Sequence, residues 1–209
     1  MRRRIGDAAL VLFARHGFAR TSMADIAREA QVARATVHLA FRDKTALFEH
    51  LAGQLVDDTL AAAAQAWAAG ADDPAEARLA RALLAADLPL FRLLHASPHG
   101  SELLSLDAEL TRRHAERLDD ALEAMIAQHL AAIAGLDPSG FGTWADAAQF
   151  VRTASAGLKH SARNEAVLAG AVAHLAFAVV SALGGAKGVG RGRQSPRNAL
   201  SPAHQQTGT

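Results

Sequence analysis

The stretch TSMADIAREAQVARATVHLAFRDK, residues 21–44, constrains this chain more than any other. Ser22 is a natural N-cap, because its hydroxyl can accept an unpaired N–H of a first helical turn. Ile26, Ala27 and Ala30 follow on one face at helical spacing. Gln31-Val32-Ala33 is too short and too apolar for an open loop, so it predicts a tight turn sealed by Val32. A second helix over 34–41 turns Val37 and Phe41 inward and leaves Arg34, Thr36 and His38 outward. Two helices joined by so short a turn, the second presenting donors, form the arrangement that seats a helix in a DNA major groove. The same spacing also serves a plain helical hairpin, and the rest of the chain must decide between them.

Charge bears on that decision. Residues 1–51 hold nine Arg/Lys against five Asp/Glu, residues 52–183 nine against sixteen, and residues 184–209 four against none. The overall charge of +1 therefore hides a basic N-terminal module on an acidic body. That division fits a phosphate-binding head carried by a body that avoids nucleic acid. Half of the 209 residues are apolar, 5% are aromatic and alanine is abundant, a balance that favours helices over strands. The absence of cysteine excludes disulfides, thiolate zinc sites and cysteine nucleophiles. The arginines at 2–4 are followed by no apolar signal-peptide core, so a cytoplasmic protein is expected.

A first helix is predicted over 3–16, with Ile5, Ala9, Leu12 and Phe13 in one stripe and Gly17 as a left-handed terminator. With the two helices above it makes a three-helix unit whose core is Ile5, Ala9, Leu12, Phe13, Phe18, Ile26, Val32, Val37 and Phe41. Asp43 should cap a long helix that carries Leu47, Phe48, Leu51 and Leu55 and runs to Gly70. Pro74 opens a helix to residue 86 and Pro89 a separate one to residue 96. Ser101 should cap a helix to residue 134 with Leu103, Leu106, Leu110, Leu118, Leu122, Met125, Ile126 and Leu130 inward, ended by Gly135 and Pro138. Thr143 caps a helix over 144–161, and the last spans 164–183. Residues 167–183 carry no formal charge, which suits a membrane span at its short limit or a buried helix. Coming last and after another apolar helix, the segment reads as a homodimer interface over residues 144–183, with no membrane involved. The expected division is a DNA-binding head over 1–51 (motif 22–41), a ligand-binding and dimerisation domain over 52–184, and a disordered basic tail over 185–209.

Four segments, IGDAALVLFARHGF (5–18), TSMADIAREAQV (21–32), ATVHLAF (35–41) and DKTALF (43–48), resemble the TetR-type (TetR/AcrR) transcriptional regulators. LFRLLHASPHGSELL (90–104) and SAGLKHSA (155–162) resemble the effector domain of one subgroup. The resemblance implies an all-α homodimer: an N-terminal three-helix helix-turn-helix head, and a helical effector-binding and dimerisation body whose last two helices pair with their copies. It also implies a repressor that leaves a palindromic operator when a small-molecule effector binds. Position by position, Thr36 and His38 fall where the second helix meets DNA, His38 replacing a usual tyrosine. Lys44 and Ser22 fall where a lysine and a hydroxyl meet phosphates, Arg34 where a basic or polar residue is frequent, and Ala35 where glycine is frequent. Departures from the pattern are Ala24, Gln31 in place of a turn glycine, Ala33 in place of a serine cap, and Leu39-Ala40. A left-handed Gln31 costs on the order of 1 kcal/mol relative to glycine.

The expected DNA contacts are thus Ser22, Arg34, Ala35, Thr36, His38 and Lys44, with Arg34 suited to a bidentate grip on guanine. The Arg2-Arg3-Arg4 arm and the tail with Lys187, Arg191, Arg193 and Arg197 are further basic elements that a duplex could use. Leu94, His95, Met125, His129, Trp144, Phe150 and His160 are the residues that could line an effector pocket, and each serves equally as core or surface. His95 and His99 are four apart, but Pro98 and Gly100 break the helical face a metal pair needs, so neither metal nor cofactor is expected. No phosphate loop, nucleophile elbow or ligand cluster points to an enzyme. The alternative to a regulator is a ligand-binding or scaffold dimer whose head has decayed and binds DNA weakly.

Overall fold

The computed structural model describes residues 1–96 and 108–185. Eight α-helices and one 3₁₀ turn account for the ordered elements among them. They are α1 (Arg2–His16), α2 (Met23–Glu29), α3 (Arg34–Ala40), α4 (Lys44–Ala68), α5 (Ala75–Ala96), α6 (Ala108–Ala131), the 3₁₀ turn Pro138–Gly140, α7 (Trp144–Ser161) and α8 (Glu165–Gly185). The chain is all-α, a helix-turn-helix head followed by a helical body.

The head closes around Ile5, Ala9, Leu12, Phe13, Ile26, Val37, Phe41, Leu47 and Leu51, with Phe18 and Val32 packed at its edge. All nine residues expected in its core are in this cluster. Phe18 stands 5.2 Å from Phe13 and 5.5 Å from Phe48, so three rings close the side facing α4. Ser22 caps α2 reciprocally with Asp25, and Asp43 caps α4 by accepting from the Ala46 N–H at 2.7 Å. Gly17 ends α1 at φ 79 and ψ 158, a positive φ as expected but with an extended ψ rather than the left-handed one. Its N–H still closes on the Phe13 carbonyl at 2.9 Å.

Between α2 and α3 the chain makes the two-bond helix terminator. The Gln31 N–H bonds the Arg28 carbonyl at 3.1 Å and the Val32 N–H bonds Ala27 at 3.0 Å. The residue in the left-handed position is Gln31 at φ 52, the one non-glycine with positive φ among the described residues. Val32 then packs on the head core, which is why the turn reads as apolar in sequence.

In the body, α5 packs against α4, α7 and α8, and α6 against α4 and α7. The core there is Trp67, Leu79, Leu83, Phe91, Ile126, Leu130, Val151, Leu168, Val172, Ala176 and Leu183, among others. Residues 74–96, expected as two helices, form one continuous α5 with Pro89 inside it. An interior proline costs about 3 kcal/mol in helix propensity. Here Leu79, Ala82, Leu83, Ala86 and Phe91 are buried on both sides of it, and one packed face offsets the local penalty. The helix expected from Ser101 is described from Ala108; Ser101, Leu103 and Leu106 lie outside the described residues, as do His99, Gly100 and the tail from 186. Thr143 caps α7 through a reciprocal pair with Asp146, and Asp137 caps the 3₁₀ turn and ties its N–H to the Leu183 carbonyl at 2.9 Å.

α8 is long and apolar enough to cross a bilayer, with a mean hydropathy of 2.2. One face, Leu168, Val172, Ala176, Val179 and Leu183, is buried in the body. The other leaves Phe177 61% exposed and Val167 half-exposed.

Candidate nucleic-acid interface

α3 is held by its inner side alone. Val37 is fully buried, and the solvent side presents Arg34, Ala35, His38 and Leu39, with Thr36 half-buried at the border. Leu39 is 87% exposed, the most exposed large apolar side chain among the described residues. Ala33 supplies no side-chain cap, as its methyl dictates. Arg28 and Arg42 flank the face and remain largely exposed although they pair with Asp25 and Asp43.

Two expected contacts are committed within the protein. The Ser22 hydroxyl donates to Asp25 Oδ2 at 2.6 Å and accepts the Asp25 N–H at 3.1 Å. These bonds hold the Asp25 carboxyl below the usual aspartate value. Lys44 sits in the first turn of α4, and its ammonium donates to the carbonyls of Phe18 at 2.6 Å, Thr21 at 2.8 Å and Ala19 at 3.3 Å. It also lies 4.3 Å over the Phe18 ring, and burial pushes its pKa down. Lys44 thereby braces the α1–α2 loop. The arginine arm is divided too: Arg2 donates to the Ala40 carbonyl and Arg4 to the Gln31 carbonyl, each at 2.8 Å.

The residues named for an effector pocket occupy several settings. His129 stacks on Trp67 at 4.7 Å, and desolvation followed by the charge of Arg78 lowers its pKa. Met125, one turn earlier on α6, packs at the main core. Trp144 packs on that core from the start of α7, while Phe150 is half-exposed beside Phe141 and His160 is exposed. His95 is exposed on α5, its Nδ1 2.9 Å from the Phe91 carbonyl; the Leu94 side chain lies outside what is described.

A polar centre in the body escaped sequence reasoning. Asp87 on α5, 1% exposed, accepts from the Ser155 hydroxyl and from Lys159 Nζ at 3.1 Å, both on α7. Arg152, also on α7, places Nη1 3.5 Å from Asp87 and donates through Nη2 to Asp119 of α6 at 2.8 Å. Its Nε and Nη1 are buried and complete no hydrogen bond among the described residues. The available signal was the run Arg152, Ser155, Lys159, a polar file at helical spacing on an otherwise apolar face.

Residues 5–51, the three helices of the head and the start of α4, match the family described as bacterial regulatory proteins, tetR family. This match places the head, residues 5–51, in the TetR family. No curated protein sequence matches the chain. Among solved structures, a transcriptional regulator from Rhodococcus sp. superposes with TM-score 0.64 at 19% identity, over 88% of this chain and 97% of that one. A TetR transcriptional regulator from Legionella pneumophila gives 0.62 at 18% identity, over 85% and 95%. The fatty acid degradation regulator FadR from Bacillus halodurans gives 0.52 at 18% identity, over 92% and 97%. At these identities the likeness is one of fold, shared by the head and the described body alike.

Proposed function

We propose that this chain is a DNA-binding transcriptional regulator that acts as a homodimer, represses from a palindromic operator and leaves it when a small molecule enters the body. The observation that carries the DNA reading is the solvent face of α3, where Arg34, Ala35, His38 and Leu39 stand clear of the protein on the basic N-terminal module. Arg34 and Thr36 are assigned base or phosphate contacts, His38 a phosphate or base edge, and Ala35 with Leu39 an apolar edge for thymine methyls. Ser22 and Lys44 are assigned to the rim, where they hold α2 and the preceding loop, and Lys44 adds positive potential near the phosphates.

Support for the dimer comes from α7 and α8. Phe150, Val167 and Phe177 leave apolar area on the outward side of two adjacent helices. Gly157 and Gly170 lie there with open space beside them, so a second copy can approach closely. Pairing these faces accounts for the apolarity of α8 without a bilayer and leaves the protein cytoplasmic. Phe177→Glu should give a monomer by light scattering, and a dimer that survives it moves the interface elsewhere.

Footprinting over the upstream region of its own gene tests the main reading, with a protected two-fold sequence as the expected result. Half-sites should lie about one helical turn, or a multiple, apart. Arg34→Ala and Thr36→Ala should each weaken that complex by about 1–3 kcal/mol. The rival, a ligand-binding or scaffold dimer with a decayed head, is favoured by the uncapped α3 and the bare Leu39. It predicts weak DNA binding without sequence preference, and a protected palindrome eliminates it.

A further inference from the structure

We propose that Arg2 and Arg4 are positioning residues for α3, holding the recognition helix at its two ends from the first turn of α1, and that neither is a DNA contact. The proposal rests on the DNA-binding reading above and assigns the arginine arm a role within it.

α3 is seven residues long, from Arg34 to Ala40, and has no side-chain cap at its start. A helix this short is not stable by itself and takes its orientation from what grips it. Val37 anchors the middle, and Val32 and Phe41 pack on the head core at either end. The polar restraints at the two ends come from α1. Arg2 Nη2 donates to the carbonyl of Ala40, the last residue of α3, at 2.8 Å. Its guanidinium lies 5.0 Å over the ring of Phe41, the C-cap, whose own side chain is buried. A cation at this end also meets the negative pole of the helix. Arg4 Nη2 donates to the carbonyl of Gln31 at 2.8 Å. Gln31 is the left-handed residue at φ 52, so Arg4 grips the strained peptide that sets the angle between α2 and α3. The two arginines sit two residues apart on α1 and project to different sides. Their acceptors, at positions 31 and 40, bracket the whole recognition helix. Arg3, between them, is exposed and makes no such bond among the described residues.

Each grip uses a guanidinium that phosphates would otherwise compete for, and this difference can be measured. The test uses the full-length protein, the footprinted operator duplex and a scrambled duplex of equal length, titrated by anisotropy over a range of salt. Arg2→Ala and Arg4→Ala should each weaken operator binding about tenfold while leaving scrambled-duplex affinity unchanged. The slope of log K against log salt should match wild type, because no phosphate contact has been lost. Arg2→Lys and Arg4→Lys, which keep the charge but not the planar fork, should recover only part of the loss. Gln31→Gly relieves the strained turn and should shrink the cost of Arg4→Ala. A slope that falls by about one per arginine, with equal losses on both duplexes, would make them phosphate contacts and overturn the proposal. Full recovery by lysine, or a cost of Arg4→Ala that ignores Gln31→Gly, overturns it as well. A wild type that protects no sequence sinks the DNA reading first and the proposal with it; a normal footprint with unaffected variants sinks the proposal alone.

Discussion

The cations that brace the head's turns bond to backbone, whereas the buried polar centre of the body is built from side chains alone. In the head, Lys44 donates to three carbonyls, Arg2 and Arg4 to one each, and Ser22 accepts a backbone N–H. In the body, Asp87 meets Ser155, Lys159 and Arg152, and Arg152 meets Asp119, all side chain to side chain. A backbone acceptor is present whatever residue occupies the position. The head can therefore hold its geometry with Gln31, Ala33 or Ala40 at places where the family prefers something else. The body's network has no such tolerance, since each member needs a specific partner on another helix.

The largest test of that contrast is Asp87→Ala, which leaves Lys159 a buried cation without its carboxylate and Arg152 with Asp119 alone, and should cost about 3–5 kcal/mol. Both tryptophans, Trp67 and Trp144, lie in the body core, so their fluorescence in a urea titration reports this loss directly. A change below about 1 kcal/mol would mean that water already satisfies the network. Next, Lys44→Met should cost about 2 kcal/mol by leaving the Phe18 and Thr21 carbonyls short of a donor. Amide exchange should quicken in the α1–α2 loop and α2, with the tryptophan signal unmoved. Gln31→Gly has the opposite sign: relieving the left-handed position should stabilise the head by about 1 kcal/mol, read as slower exchange in α2 and α3. The smallest effect concerns acid. The Ser22 bonds, then Arg28, lower the Asp25 pKa, so native Asp25 stays ionised where the unfolded chain protonates. That stabilisation is present above the usual aspartate range and disappears as pH falls through the native value. Exchange in the first turn of α2 should accelerate over that acid interval, and Ser22→Ala, which removes the largest cause but keeps the Ser22 N–H and Arg28 bonds, should reduce the pH dependence.

What could be read from the sequence divides along the same line. Ser22, Asp43 and Thr143 were recognisable as caps because a cap is a bond within three residues. Gln31 was recognisable as left-handed only through the resemblance, which puts a turn glycine at its position. The head core followed from helical spacing. The grips of Arg2 and Arg4 span 38 and 27 residues, and no local pattern encodes them. Pro89 misled because its penalty is local while the packing that outweighs it comes from α4, α7 and α8. The Asp87 centre needed the registers of α5, α6 and α7 at once, which one-dimensional spacing does not supply.

One element belongs to both regions. α4 starts in the head with Leu47 and Leu51 and ends in the body with Ala63 and Trp67, 25 residues without a break. At 1.5 Å per residue it is a rod of about 37 Å. Ion pairs from Arg113 to Glu49 and Arg117 to Asp57 lash it to α6 along its first half. Tilting such a rod by about 5° at its far end sweeps its near end through roughly 3 Å. That is close to the rise of one base pair, about 3.4 Å. A shift in the body too small to disturb its packing is thus enough, at the other end of α4, to put the head one rung out of step with a duplex.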